Sequence, residues 1–539
     1  MTDTLKNNVR FLMIEVETQL SLLQTYTQDP EPIHLQRMSE RSAYIYNLNL
    51  RIQNSILLNT SEPTPLIWMQ HRTLNAIASD LVHITRLCHE CMQQWVQTEH
   101  FNILDLSPYR LVARQLNKSL QHLEQAFWQR DTRLALHMGL GEHKISRQCQ
   151  KMLKTYTTKL KQRQHTEVWI AGLFTQRCCQ QTGESLLRIS EAIISNNLGQ
   201  PMDMPRFHAL QDTVSAWNGE QNMIDMDIQS VAETRSGSGI SSLQDKAKSQ
   251  PLVIYKSGDK RKLKEELHGV ATWHDHYPGV APQILAYNKH DKGASLLIEH
   301  LQGMTFEHIV LHEPMHVMHA AIKALTQTLK KVWGDGQRKR PKPASFVRQT
   351  RKRLADVYAV HPEFRQGKTY ICGQSPKTFE ALLQAAEKVE YQLKVPRSML
   401  IHGDFNIDNI LYEPNSKQIH FIDLHRSTHM DYVQDVSVFI ISHDRLQVFD
   451  APQRRRIRKQ IHDFYQAMQT FATQQGDSSF QIRLALGLAR SLATSTRFIL
   501  DPKIAQRMFL RAHYLLKQVA QCDPQHPEDY QLPIKELFK

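Results

Sequence analysis

Asp404, Asn409 and Asp423 carry the chemistry most legible in this sequence. Asp404 closes the triplet His402-Gly403-Asp404, Asn409 follows five residues later, and Asp423 ends the run Ile419 to Ile422. Phosphoryl transfer needs this combination of groups. One carboxylate accepts the proton of an attacking hydroxyl. An amide oxygen and a second carboxylate are hard ligands for Mg²⁺, which bridges the phosphates of a nucleotide.

Those side chains need two short strands to bring them to one mouth. Met399 to Ile401 and Ile419 to Ile422 have the apolar character, and Glu413 to Lys417 reads as the turn between the halves of the segment. Upstream, Met226 to Glu233, Leu252 to Lys256 and Leu296 to Glu299 read as strands, with a helix from Lys260 to His276. Ser241 to Gln250 reads as a loose stretch. Helices return from about Phe306, and a helical tail spans about Pro452 to Leu516. The first ~200 residues are helical throughout. Leu74, Ile77, Leu81, Ile84, Cys88 and Cys91 alternate three and four apart, and Ile45, Leu48, Ile52 and Ile56 and then Leu186, Ile189 and Ile193 repeat the pattern. Such stripes with short breaks make an antiparallel bundle.

The chain has 539 residues, 41% hydrophobic and 22% charged, an ordinary globular balance that excludes collagen, low-complexity disorder and small disulfide scaffolds. A net charge of +13 suits an anionic ligand or partner. Seven cysteines, an odd number, point to reduced thiols. Glu15 and Glu17 interrupt the apolar N-terminal stretch, so no signal peptide is expected, and no run reaches the length of a membrane span. A cytoplasmic location is the expectation.

The segment from His402 to Asp423 resembles the aminoglycoside phosphotransferase and choline kinase-like family, which has a protein-kinase-like fold. His402-Gly403-Asp404 with Asn409 looks like its catalytic loop, Ile422-Asp423 like its metal-binding strand end, and Asp431 to Asp435 like the acidic element that buttresses the loop. The resemblance implies ATP and Mg²⁺ as cofactors. It makes Asp404 the catalytic base, His402 a scaffold residue of the loop, and Asn409 and Asp423 the metal ligands. It makes Lys256 the lysine that aligns nucleotide phosphates, with Glu266 (Glu265 in the alternative register) holding it. Gly237, Ser238 and Gly239 would cover phosphates through backbone N–H groups. Glu299 to Leu301 would be the hinge offering backbone groups to adenine. Asp408 and His425 are candidate substrate contacts, and Arg426, just beyond Asp423, is a candidate phosphate contact.

The bundle region resembles PhoU-type proteins of bacterial phosphate signalling through Arg41 to Leu48, Asp80 to Cys91 and Gly183 to Ala192. The acidic pairs with which family members bind metal clusters fall here on Val82 and Arg86, and on Gln180 and Glu184, so only Glu184 retains a carboxylate. That argues for a sensing, docking or dimerising module. Cys88 and Cys91 form a CxxC, but both lie on the apolar seam, so packing as small hydrophobes is the better account, as it is for Cys178 and Cys179. Eight positive charges fall between Arg338 and Arg353. Without an aromatic platform, nucleic acid is not the expected partner, and a solvated face or recruitment of an anionic substrate fits better. Arg454 to Lys459 reads as an exposed helix face.

The fold class expected is mainly α with an α+β kinase-like part. An antiparallel bundle over 1–218 precedes a two-lobed protein-kinase-like domain, with a small lobe at 219–301 and a helical lobe carrying the catalytic loop at 302–539. The expected activity is transfer of the γ-phosphoryl group of Mg-ATP to a hydroxyl of a small acceptor. The rival is a catalytically silent nucleotide sensor. Expected partners are a nucleotide, a small hydroxyl-bearing substrate, and a second copy or regulatory protein on the bundle.

Overall fold

The computed structural model describes residues 3–58, 65–199, 201–218, 226–233, 239–245, 253–290, 293–365 and 377–539. The chain divides into two compact units, Met1–Ser257 and Gly258–Lys539. The division falls inside the stretch expected to form the small lobe.

The first unit begins with helices α1 (Asp3–Tyr26), α2 (Pro32–Leu58), α3 (Pro65–Gln97), α4 (Ser107–Leu120), α5 (Leu123–Trp128), α6 (Thr132–Leu160), α7 (Thr166–Leu198) and α8 (Met204–Asn218). Helix α7 packs along α3 and α6, while α1 packs on α2, α3 and α4. The predicted stripes make these contacts: Leu74, Ile77, Leu81, Ile84, Leu186, Ile189 and Ile193 are all buried. Helix ends follow local chemistry. Asp131 accepts hydrogen bonds from the N–H groups of Arg133 and Leu134 at the start of α6, and Gly199 closes α7 at φ 71°. Cys88, Cys91, Cys149, Cys178 and Cys179 are buried free thiols. Burial raises the Cys88 thiol well above its ordinary value, which suits a packing role over a reactive one.

The unit ends in antiparallel strands β1 (Met226–Glu233), β2 (Gly239–Asp245) and β3 (Val253–Gly258, whose last residue falls in the second unit). The stretch read as loose from Ser241 therefore forms a strand to Asp245. Its sequence is polar, but it is paired on both sides, Gly239–Asp245 with β1 and Gly239–Leu243 with β3. Pairing overrides its weak strand propensity.

The second unit runs α9 (Lys260–His276), β4 (Ile284–His290), β5 (Gly293–Glu299), β6 (Met304–Thr305), α10 (Phe306–His312), α11 (Met315–Asp335), α12 (Phe346–Val360), α13 (Phe379–Gln392), β7 (Met399–Ile401), β8 (Ile410–Glu413), β9 (Gln418–Phe421), β10 (Thr428–Met430), α14 (Val433–Asp444), α15 (Ala451–Gln474), α16 (Phe480–Ser495), α17 (Pro502–Val519) and α18 (Ile534–Leu537). Strands β4 and β5 form a hairpin. Strands β6, β8 and β9 make a three-stranded sheet, and β7 pairs with β10. Among the described residues, no helix is long and apolar enough to cross a membrane.

Two registers position the site. Ile410 pairs with Phe421 in the β8–β9 hairpin, so Asn409 and Ile422 fall opposite each other, and Ile422 N–H donates to the Asn409 carbonyl at 3.0 Å. Ile401 pairs with Thr428, which carries the loop after β7 alongside Arg426. Beneath lie the buried rings of Phe405, Phe421 and Phe439, with Phe405–Phe421 centroids 5.4 Å apart edge to face. Helix α15 corrects one expectation. Arg454 and Arg456 are half-buried, with Arg454 donating to the Asp444 carboxylate and carbonyl and Arg456 to the Ile309, Val310 and Glu313 carbonyls. Their role is to tie α15 to α14 and to the end of α10, because backbone carbonyls at helix ends need donors.

Candidate active site

The loop between β7 and β8 is held from below by one carboxylate. Asp435, on the first turn of α14, accepts the N–H of His402 at 2.7 Å and that of Gly403 at 2.9 Å, one on each oxygen. Complete burial pushes its carboxyl up to about 7, while the two N–H groups oppose that shift. Asp431, the other end of the acidic element, has a different task and pairs with the buried Arg483. His402 is fully buried. Its Nε2 lies 2.9 Å from the Ile422 carbonyl, and its Nδ1 accepts the Asp404 N–H at 3.3 Å. That pattern requires the neutral ring protonated on Nε2, and burial lowers its basicity accordingly.

Gly403 is obligatory here. Its φ is +82°, and a Cβ would lie 2.3 Å from the Arg426 carbonyl oxygen. The close approach brings Arg426 over the loop, where its Nη1 stands 3.1 Å from Asp404 Oδ2. The other oxygen, Asp404 Oδ1, accepts from Asn406 Nδ2 at 3.0 Å, and Arg445 donates to Asn406 Oδ1 at 3.0 Å. Sequence reading missed Asn406 and Arg445. Asn406 lay inside the motif and was readable, whereas Arg445 is 39 residues away and carried no signal.

Asn409 Nδ2 donates to the Asp404 carbonyl at 2.9 Å, which orients the amide. Asp423 has φ +62°, a strained position for a non-glycine residue and one found at functional sites. His425 Nδ1 lies 3.1 Å from Asp423 Oδ1, and that hydrogen bond raises the ring's basicity. Asn409 and Asp423 offer an amide and a carboxylate oxygen from adjacent chain segments, a donor chemistry that fits a small divalent cation taking its remaining ligands from water and phosphate. Among the described residues, no group of three or more His, Cys, Asp or Glu side chains is placed to hold a metal. In the first unit, Glu184 is engaged by Arg177 at 3.2 Å and Gln180 at 3.3 Å.

Helix α9 seats on the segment after Asp423. A Cβ on Gly269 would lie 2.1 Å from the Leu424 carbonyl oxygen, and Trp273 Nε1 donates to Ser427 Oγ at 2.9 Å. Of the two glutamates weighed on this helix, Glu266 is buried, while Glu265 is exposed beside Arg261 at 3.3 Å. Lys256 is buried on β3 in the first unit. Gly239 opens β2, and Gly237 and Ser238 lie outside the described residues. Glu299 ends β5, with its N–H donating to the Gln283 carbonyl at 2.9 Å and its carboxylate accepting the Gln283 N–H at 3.0 Å. Leu301 follows in the connection to β6. Asp408 is exposed on the loop. The structure therefore brings together His402, Asp404, Asn409 and Asp423.

Residues 252–477 match the model of the phosphotransferase enzyme family. The match contains the whole loop, both strands that position it and the buttressing Asp435. No curated protein is similar enough to count as a match. Among solved structures, the chain is similar to the aminoglycoside phosphotransferase APH(3'')-Id from Streptomyces rimosus, at 19% identity over 53% of this chain and 98% of that one, with a TM-score of 0.36. It is also similar to choline kinase from Cryptosporidium parvum, at 13% identity over 59% of this chain and 95% of that one, with a TM-score of 0.37. A third similarity is to PhoU from Pseudomonas aeruginosa, at 16% identity over 36% of this chain and 96% of that one, with a TM-score of 0.33.

Proposed function

We propose, from the match of residues 252–477 to the phosphotransferase enzyme family, that the protein transfers the γ-phosphoryl group of Mg-ATP to a hydroxyl of a small acceptor. The observation that carries this reading is that one loop and one hairpin hold Asp404, Asn409 and Asp423, with the Asn409 amide on the Asp404 carbonyl and the Ile422 N–H, next to Asp423, on the Asn409 carbonyl.

Asp404 orients the acceptor hydroxyl and takes its proton as the new O–P bond forms and the bond from the γ-phosphorus to the β,γ-bridging oxygen breaks, with ADP as the leaving group. Asn406 and Arg426, one on each carboxylate oxygen, fix its plane. Asn409 and Asp423 would hold Mg²⁺, which when bound neutralises charge on the nucleotide phosphates. His402 and Asp435 hold the loop, so that the base needs no rearrangement when the hydroxyl arrives. Lys256 is assigned the alignment of the phosphates, Glu266 the support of that lysine, and Glu299 and Leu301 the adenine edge. The bundle is assigned a docking or regulatory role, including self-association.

The test is to incubate the full chain with γ-labelled ATP, Mg²⁺ and a metabolite extract, and to look for a labelled product other than inorganic phosphate. Such a product supports transfer. Nucleotide binding without any labelled product would instead favour the silent sensor.

A further inference from the structure

Asp404 acts electrostatically on three arginines that the phosphotransfer chemistry does not use, Arg353, Arg490 and Arg497, besides Arg426, which holds its carboxylate. Arg490, on α16, is buried at 5% exposure, yet its Nε and Nη2 have no hydrogen-bond partner among the described residues. Its guanidinium lies 5.9 Å from the Phe346 ring centroid, at the start of α12. A buried cation with unmade hydrogen bonds is costly to hold and is kept only for a reason. Arg353, half-buried on α12, feels the charges of Arg426, Arg497, Asp404 and Asp356. Arg497, just past α16, donates to the Thr494 carbonyl at 3.1 Å and feels Arg426, Asp404 and Asp356. Arg426 completes the set at 3.1 Å from the base.

Among the described residues, the carboxylates that act most on these arginines are Asp404, Asp356 and Asp435. Asp404 is already shared between Asn406 and Arg426, Asp435 is occupied by the two loop N–H groups, and Asp356 is exposed on the outer side of α12. Positive charge is therefore in excess on the side of the site where an acceptor hydroxyl would meet Asp404. On the metal side, Asp423 is matched by His425. The crowding shows in the groups themselves. Burial first, then the neighbouring arginines, depress the Arg490 guanidinium to about 9 and lower that of Arg353. A bound anion would relieve both effects, and planar guanidinium groups with unmade N–H bonds fit a carboxylate or phosphate two bonds at a time.

We infer that the acceptor is an anionic alcohol, whose carboxylate or phosphate is bound by Arg490 and Arg353, with Arg497 and Arg426 at its edge, while its hydroxyl faces Asp404. This rests on the phosphotransfer reading only for the role of Asp404, and the two are tested separately. The first measurement is calorimetric titration of the full chain, saturated with Mg²⁺ and a non-hydrolysable ATP analogue, with inorganic phosphate and with malonate. The nucleotide site is then filled, so anion binding reports the arginine site. At least one anion is expected to bind saturably, and Arg490→Gln or Arg353→Gln is expected to weaken it about tenfold or more while the analogue still binds. If Arg490→Gln does not fold, Arg353→Gln carries the test. No saturable binding to the wild type, or equal affinity in the variants, overturns the inference.

The second measurement offers γ-labelled ATP with matched alcohols: glycerol, glycerate and glycerol phosphate, then glucose, gluconate, glucose 6-phosphate and glucosamine. Label on the anionic members supports the inference. Label confined to neutral or amino alcohols overturns it and leaves phosphotransfer standing. Absence of label from every alcohol, with no ATP turnover, overturns the phosphotransfer reading, and the titration alone then decides the anion site.

Discussion

Gly269→Ala should reverse the sign that helix propensity gives to such a change. Gly269 lies inside α9, where alanine is favoured over glycine by about 1 kcal/mol. The added Cβ, however, would stand 2.1 Å from the Leu424 carbonyl oxygen and 3.0 Å from its carbon. Restoring ordinary contact requires a shift of about 1 Å or more between α9 and the segment following Asp423. The obstructing atom is backbone held between β9 and β10, so it cannot swing aside, and overpacking of this kind costs about 1–3 kcal/mol. The net expectation is destabilisation of up to about 2 kcal/mol after the propensity gain, a drop of up to a few degrees in melting temperature. A misplacement of about 1 Å can lower turnover about 100-fold. Gly334, near the end of α11, is the control, because its Cβ would meet nothing within 4 Å among the described residues. Gly334→Ala should leave turnover unchanged and raise stability by up to about 1 kcal/mol. The assay is thermal melting of the two full-length variants beside wild type, with ATP turnover on the same samples. If Gly269→Ala melts at or above the wild-type temperature with full turnover, α9 does not seat on Leu424.

Asp423→Asn should abolish most Mg²⁺-dependent transfer and shift the Mg²⁺ dependence of the remainder to higher concentration, because it deletes a ligand charge but little volume; full activity at ordinary Mg²⁺ would remove Asp423 from the metal site. Asp435 accepts two N–H groups only as a carboxylate, so with its carboxyl near 7 turnover should fall as pH drops through about 7, and a flat profile from pH 6 to 8 would contradict its loop-holding role. Glu390 accepts the N–H groups of Phe346 at 2.6 Å and Val347 at 3.2 Å, and burial pushes its carboxyl from 4.5 to about 7. The folded state then binds a proton that the unfolded state has released, so stability falls as pH rises from about 4.5 to 7, by about 3 kcal/mol, and is constant above that. Glu390→Gln should flatten this part of the melting-temperature profile, and an unchanged slope would mean that the buried carboxyl does not titrate in that window.

The site was legible where its geometry is local. His402 to Asp423 is one loop and one hairpin, so spacing alone puts Asn409 beside Ile422. Lys260–His276 was legible for a similar reason, since Leu263, Glu266, Val270 and Trp273 line one helical face. Strand β2 was not, because Ser241, Ser242 and Gln244 carry no strand signal and acquire their conformation from β1 and β3. Nor were the arginines. Arg353 sits in a run with Arg351 and Lys352 that reads as a wet face, and only packing separates it from Arg351, which pairs with Glu387 at 2.6 Å on the surface. Arg490 reaches the site from α16, in a run of small and apolar residues where a single cation has no pattern. The net charge suited an anionic ligand or partner without identifying one, and the residues that would recognise one come from helices far apart in the chain.

The most direct test of the central claim compares wild type with Asp404→Ala in transfer of γ-labelled phosphate from Mg-ATP to the acceptor that the panel identifies. Loss of a general base is expected to lower kcat by about 100-fold or more, while the KM for ATP changes little, since Asp404 serves the acceptor hydroxyl. An Asp404→Ala protein that transfers label at the wild-type rate would contradict the account.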